Sequence, residues 1–143
     1  MARVVVPTLL TIVLFVASFF FAIIPSVREN SMERKREMIK ELTQSAWNIL
    51  AKLHNDEVKG LITRDQAKTQ AVEQIRNLHY GQEMKDYFWI NDMHPRMVMH
   101  PYKPEMDGQD LADNKDPNGK FLFREFSRVA NESGQGVVDY LWP

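Results

Sequence analysis

"YFWINDMHPRMVMHP", residues 87–101, is the stretch where the chain changes period. Before it, apolar residues recur at helical spacing. Within it, Tyr87-Phe88-Trp89-Ile90 and Met97-Val98-Met99-His100 are two runs of strand formers, and Asn91 to Arg96 between them reads as a hairpin loop. Alternation along a strand puts Tyr87 and Trp89 on one face and Phe88 and Ile90 on the other. The second pair is wholly apolar and suits a core; the first carries polar tips. The same rule groups Val98 with His100 and, in VVDYLWP at 137–143, Val138 with Tyr140 and Trp142. Tyr, Trp and His join apolar area to a hydrogen-bonding tip. One face of the sheet therefore reads either as the wall of a small-ligand pocket or as a core with satisfied tips.

Outward from the hairpin, the flanking segments read as helices. Residues 26 to about 59 form one long helix, with Ser26 as N-cap and Gly60 as stop. Ile39, Leu42, Ala46, Ile49 and Leu53 follow 3-4-3-4 spacing, with Met32 a heptad earlier. That stripe serves either the helix's own domain or a second copy of the chain. Thr63-x-x-Gln66 is a capping box opening a helix that runs to about His79, and Gly81 ends it. Residues 101–119, rich in Pro, Gly and Asp, have loop composition. Lys120 to about Glu132 reads as a third helix and VVDYLWP as a further strand. That strand ends on an exposed aromatic edge with nothing to pair it, so the expectation is a truncated domain or a sheet completed by a partner.

From Val4 to Ile24 the chain is free of charge, about the twenty residues a helix needs to cross a bilayer core of roughly 30 Å. The run is too long for a signal peptide and lacks a small-x-small cleavage site, so residues 1–25 read as an uncleaved anchor. Arg3 is the one charged side chain there, which leaves 17 Lys and Arg against 19 Asp and Glu. A near-neutral remainder has no general attraction for nucleic acid. Cysteine is absent, which excludes disulfides, thiolate zinc sites and a cysteine nucleophile. Arg28, Arg34, Lys35 and Arg36 follow the span, which by charge count alone keeps the C-terminal part in the cytoplasm. Interleaved Glu29, Glu33, Glu37 and Glu41 blur that count.

Signals for catalysis are missing: the chain holds no G-x-S-x-G, no P-loop and no H-E-x-x-H, and the expectation is a non-enzyme without cofactor. His94 and His100 lack a metal-ligand spacing, and the Asp-rich loop lacks the EF-hand pattern, so it reads as solvated. Arg124 and Arg128 on the third helix read either as solvated surface residues or, for one of them, as a ligand contact: Lys120 and Arg124 lie one turn apart near the helix start, where a guanidinium fork, backbone N–H groups and the helix dipole would together favour an anion.

The succession YFWIND, RMVMHPYKPEMDGQDL, DPNGKFLFREF, a Gly pair and VVDYLWP resembles the single Cache sensor domains of bacterial chemotaxis receptors and sensor histidine kinases, over roughly residues 30–143. The resemblance implies an α+β chain: an N-terminal transmembrane helix, a long helix, then a PAS-like antiparallel sheet with flanking helices, incomplete at its C-terminus. It implies residues 26–143 as a truncated sensor domain outside the inner membrane, against the charge count, binding a small ligand such as acetate, propionate, lactate or pyruvate. Carried over position by position, the pocket lining is Tyr87, Trp89, His100, Tyr102, Phe121, Arg124, Tyr140 and Trp142. The partners expected are a short carboxylate, the membrane and a second copy through the helix at 32–53. The competing reading is an anchored partner-binding protein with no small ligand.

Overall fold

The computed structural model describes residues 2–142; Met1 and Pro143, which end the expected anchor, sensor domain and last strand, lie outside the described residues. The chain divides into two compact units, Met1–Gln44 and Ser45–Pro143.

Helix α1 (Ala2–Ser18) passes into a π-helical turn at Phe19–Ile23 and then into α2 (Ile24–Val58), whose residues to Gln44 belong to the first unit and whose residues from Ser45 belong to the second. Among the described residues one helix, Leu10–Val58, is long and apolar enough to cross a membrane, with a window of mean hydropathy 2.5. Ser26 is not an N-cap, because no helix starts there. Pro25 lacks the N–H that an α-turn needs, and the wider turn just before it, closed by the Ile24 N–H on the Phe19 carbonyl, carries the helix past this break. The stop at Gly60 is as expected: Gly60 has φ +71°, and the N–H groups of Gly60 and Leu61 close on the Glu57 and Asp56 carbonyls, a Schellman ending.

In the second unit, α3 (Arg64–Arg76) opens with the expected capping box, Thr63 and Gln66 each accepting the other's backbone N–H at 3.2 and 2.8 Å. It ends three residues earlier than periodicity suggests. His79 belongs to strand β1 (His79–Tyr80), antiparallel to β2 (Asp86–Tyr87), with His79 opposite Tyr87. The expected Tyr87–Ile90 strand is split. Tyr87 pairs backwards with β1, whereas β3 (Ile90–Asn91) pairs forwards with β4 (Met97–Met99) across a register shift. The hairpin loop is the expected one, held by Asp92, whose Oδ1 accepts the N–H groups of His94 and Arg96 at 2.9 Å. Helix α4 (Leu122–Ser133) starts after Lys120, with Phe121 at its N-cap. Residues 137–142 join no ladder, so the expected last strand is absent among the described residues; only the backbone run of VVDYLWP is extended.

Two clusters bracket the short strands. On one side Ala46 from α2, Ile75 from α3 and Met99 are buried, with Phe88 and Ile90 packed on them, as alternation required. Ala46 and Leu53, both buried, thus serve the helix's own domain. On the other side Met97, Leu111, Leu122 and Phe123 are buried under Trp89, Phe126, Tyr140 and Trp142. Val98, expected to share a face with His100, is instead exposed. The shift between Ile90 and Asn91 turns the three-residue strand so that Met97 lies with the aromatics.

Candidate functional site

The site is built around His100, which is 1% exposed at the residue after β4. Its backbone N–H donates to Asp107 Oδ1 at 2.7 Å, and its carbonyl accepts from Arg76 Nη1 at 3.4 Å. Arg76 also reaches Asp107 Oδ2, so the two charged side chains close a clamp on the His100 peptide unit. The imidazole is fixed as firmly. Nδ1 accepts the N–H groups of Tyr102 and Lys103 at 3.2 and 3.0 Å, a turn made possible by Pro101 between them and the histidine. A nitrogen that accepts two N–H groups carries no proton, so the proton of the neutral ring sits on Nε2. Burial, aided by the Lys103 charge, pushes the imidazole below its ordinary 6.5, which keeps it neutral at pH 7. Nε2–H is then a donor, fully buried, with no partner among the described residues.

Aromatic rings enclose this donor. Trp89 and Trp142 lie near-parallel to the imidazole, at 15° and 10° with centroids 6.5 and 5.9 Å away, and Tyr87 meets it edge-on at 5.1 Å. Tyr102 packs on Tyr87 at 4.9 Å, and Tyr140 on Trp89 at 6.4 Å. Trp89 Nε1–H is satisfied by Asn91 at 3.2 Å. Burial pushes the Tyr140 hydroxyl up to about 12, so it stays protonated and a donor. Six of the eight candidates, Tyr87, Trp89, His100, Tyr102, Tyr140 and Trp142, therefore come together in one assembly.

Phe121 and Arg124 do not join it. Arg124 binds Asp113 at 2.5 Å, and its guanidinium lies 4.6 Å over the Phe121 ring, which Lys115 also faces. Lys120, expected to share a helix start with Arg124, precedes the helix and donates to the Asp139 carbonyl. The anion cradle expected from those two residues is thus not formed in this arrangement.

Sequence reasoning missed Phe126 and Lys103. Phe126 packs on Trp89 at 5.7 Å and on Tyr140 at 5.2 Å; its signal lay in the α4 stripe Leu122-Phe126-Ala130, visible as a helix face but not assigned to the aromatic side of the sheet. Lys103 Nζ stands 4.8 Å above the Trp142 ring, a cation at the edge of the assembly that came from loop composition with no periodicity to flag it. A cavity of about 290 Å³ is lined by Lys103, Trp142, Phe123, Leu122, Met106 and Gln109. Of the eight candidates only Trp142 borders it. Asp107 and Asp116, expected in a solvated loop, are both engaged by backbone N–H groups, and Asp116 is buried.

The model of the Single Cache domain 2 family matches residues 31–143. The chain is 39% identical over 111 residues to the methyl-accepting chemotaxis protein McpP of Pseudomonas putida, covering 78% of this chain and 20% of that one. It is 25% identical over 119 residues to the sensor histidine kinase MctS of Rhizobium johnstonii, covering 83% and 24%. The chain thus spans about a fifth to a quarter of the length of these curated relatives. Among solved structures it is similar to a periplasmic sensor domain of a chemotaxis protein, at 42% identity and a TM-score of 0.74 over 78% of this chain and 76% of that one. A second, a Cache chemosensory domain described for its carboxylic acid recognition, aligns at 40% identity and a TM-score of 0.75 over 80% and 77%. The PAS-like α+β fold, the order of its helices and strands and the match across residues 31–143 agree: the chain belongs to the Single Cache domain 2 family.

Proposed function

We propose that this chain is the ligand-sensing module of a transmembrane bacterial chemoreceptor or sensor kinase, and that it binds a short monocarboxylate at His100. The observation that carries the reading is the Nε2–H: buried, locked in one tautomer, and without an acceptor among the described residues. Leaving a buried donor unmade costs about 1–3 kcal/mol, and an anionic acceptor there forms a bond roughly twice as strong as a neutral one. Lys103 offsets the ligand charge from the rim, and the Trp89, Trp142 and Tyr87 rings suit a short alkyl tail. One buried donor beside one ammonium fits one carboxylate; a second carboxylate would be desolvated against the rings. The solved Cache neighbour described for carboxylic acid recognition supports the same ligand class.

In this reading residues 1–25 anchor the chain in the inner membrane and residues 26–143 lie outside the cytoplasm. The chain is helical without interruption from Leu10 to Val58, and α2 gives Ala46 and Leu53 to the sensor core. A ligand that favours one packing of that core shifts the population of helix positions, and the span carries the shift inward. Pairing of two copies through residues 32–53 uses the positions of α2 that remain exposed, Met32, Ile39 and Trp47. The module binds and has no catalytic role.

A thermal-shift screen of the full chain in nanodiscs against mono- and dicarboxylates, amino acids and urea tests the proposal. A ligand at a hundred times its Kd adds about 2.7 kcal/mol. A rise in Tm with short monocarboxylates alone is the expected result. A flat screen on folded protein refutes it and favours the anchored partner-binding reading.

A further inference from the structure

The Asp-Pro-Asn-Gly loop at 116–119 lies outside the aromatic assembly, yet its aspartate is 5% exposed. One carboxylate oxygen, Oδ1, accepts the N–H groups of Asn118 and Lys120, both at 2.9 Å. Backbone bonds from Asp116 to Lys120 and from Gly119 back to Asp116 complete the turn, and Gly119 takes the φ of +83° that it needs. The turn is therefore closed without Oδ2. That second oxygen accepts the N–H of Leu141, 25 residues downstream, at 3.3 Å. Lys120, at the other end of the same turn, donates its ammonium to the Asp139 carbonyl. The two tethers straddle Tyr140 and sit one residue before Trp142, in a segment that belongs to no strand ladder.

We propose that Asp116 is a positioning residue for the ligand site: Oδ1 shapes the loop, while Oδ2, together with Lys120, holds the 139–142 segment so that Tyr140 and Trp142 stand against Trp89 and His100. This rests on the reading of the aromatic assembly as the ligand site. The N–H groups of Lys120, Leu141 and Asn118 hold the carboxyl below its ordinary range, so both oxygens accept at any physiological pH. A shape role alone would need one oxygen. Gly136, where an added Cβ would come within 2.2 Å of Val129 Cγ1, brings the start of the same segment onto α4, so the segment is seated at both ends.

Asp116→Asn separates the two roles. An amide keeps one oxygen, which the two donors of the turn claim, and sets an NH2 against the Leu141 N–H. The full chain in nanodiscs, in a Trp47→Phe background, is read in two ways. Without ligand, acrylamide quenching of the remaining tryptophans should rise, because Trp142 is freed. With sodium propionate or acetate, whichever binds the parent, the Kd should weaken about tenfold, beside a fall in Tm of several degrees from the lost Leu141 bond. Lys120→Met, at an exposed position, should reproduce both changes more weakly and serves if the Asn variant does not fold. Quenching and Kd within twofold of the parent in both variants overturns the proposal. A parent that binds no carboxylate refutes the ligand reading instead, and the quenching comparison still decides the role of Asp116.

Discussion

His100 uses its two nitrogens for different purposes, and two substitutions should separate them. The amide oxygen of an asparagine at this position reaches the place of Nδ1, so His100→Asn keeps an acceptor for the Tyr102 and Lys103 N–H groups and loses the Nε2 donor. The amide nitrogen of a glutamine reaches the place of Nε2, so His100→Gln keeps the donor and loses the turn acceptor. A hydrogen bond to a charged acceptor contributes about 1.5–3 kcal/mol, which sets the loss of carboxylate affinity in the Asn variant at about 10- to 100-fold. Two partly exposed backbone N–H groups left without Nδ1 cost about 0.5–1.5 kcal/mol each, and each kcal/mol is about 4–8 °C in Tm for a domain of this size. Calorimetric titration with a monocarboxylate and thermal unfolding of the same samples measure both. The expected pattern is crossed: Asn loses binding and keeps most of its Tm, and Gln loses Tm and keeps more of its binding. Equal loss of both quantities in both variants would refute the assignment of the tautomer.

Phe123, 1% exposed in the cluster beneath Trp142, should cost about 3–5 kcal/mol as Phe123→Ala, seen as a lower denaturant midpoint. Lys103→Met should weaken carboxylate binding several-fold, whereas Arg124→Ala, which breaks an exposed pair with Asp113, should change affinity and stability by less than about 1 kcal/mol. A strong affinity loss in Arg124→Ala would restore the anion role that the sequence suggested. The His100 imidazole is depressed in the folded state, so the unfolded chain takes up its proton first as pH falls. Stability should therefore decrease as pH drops below about 6.5 and level off below the folded value, with a slope of at most about 1.4 kcal/mol per pH unit for this one group. His100→Asn should flatten that limb of the Tm-against-pH curve.

The helices were legible because each carries its own punctuation: a capping box at Thr63, a left-handed glycine at Gly60, an apolar run of bilayer length before Pro25. The period-2 pattern at Tyr87–Ile90 correctly sorted Phe88 and Ile90 to one side and Tyr87 and Trp89 to the other. It could not show that the run is shared between two sheets, since alternation sorts faces but does not say that Tyr87 pairs back to His79 while Ile90 pairs forward to Met99. Val98 and Met97 exchanged roles for the same reason, a one-residue shift being invisible to alternation. The six residues of the aromatic assembly stood out as amphipathic side chains on strands or as members of a recognised succession. Lys103 and Asp116 were hidden in loop composition, where a charged residue looks solvated until the Trp142 ring beneath the one and the backbone N–H groups around the other are known.

In the proposed function the His100 Nε2–H is the atom that receives the ligand. The direct measurement is a long-range 1H–15N correlation spectrum of the imidazoles, with and without saturating monocarboxylate, His100→Asn supplying the assignment. The expected result is an Nδ1 with the shift of an unprotonated acceptor in both spectra, and an Nε2–H signal that moves downfield when the carboxylate binds. An Nε2–H signal that stays in place while calorimetry reports a filled site, or an Nδ1 that carries the proton, would contradict it.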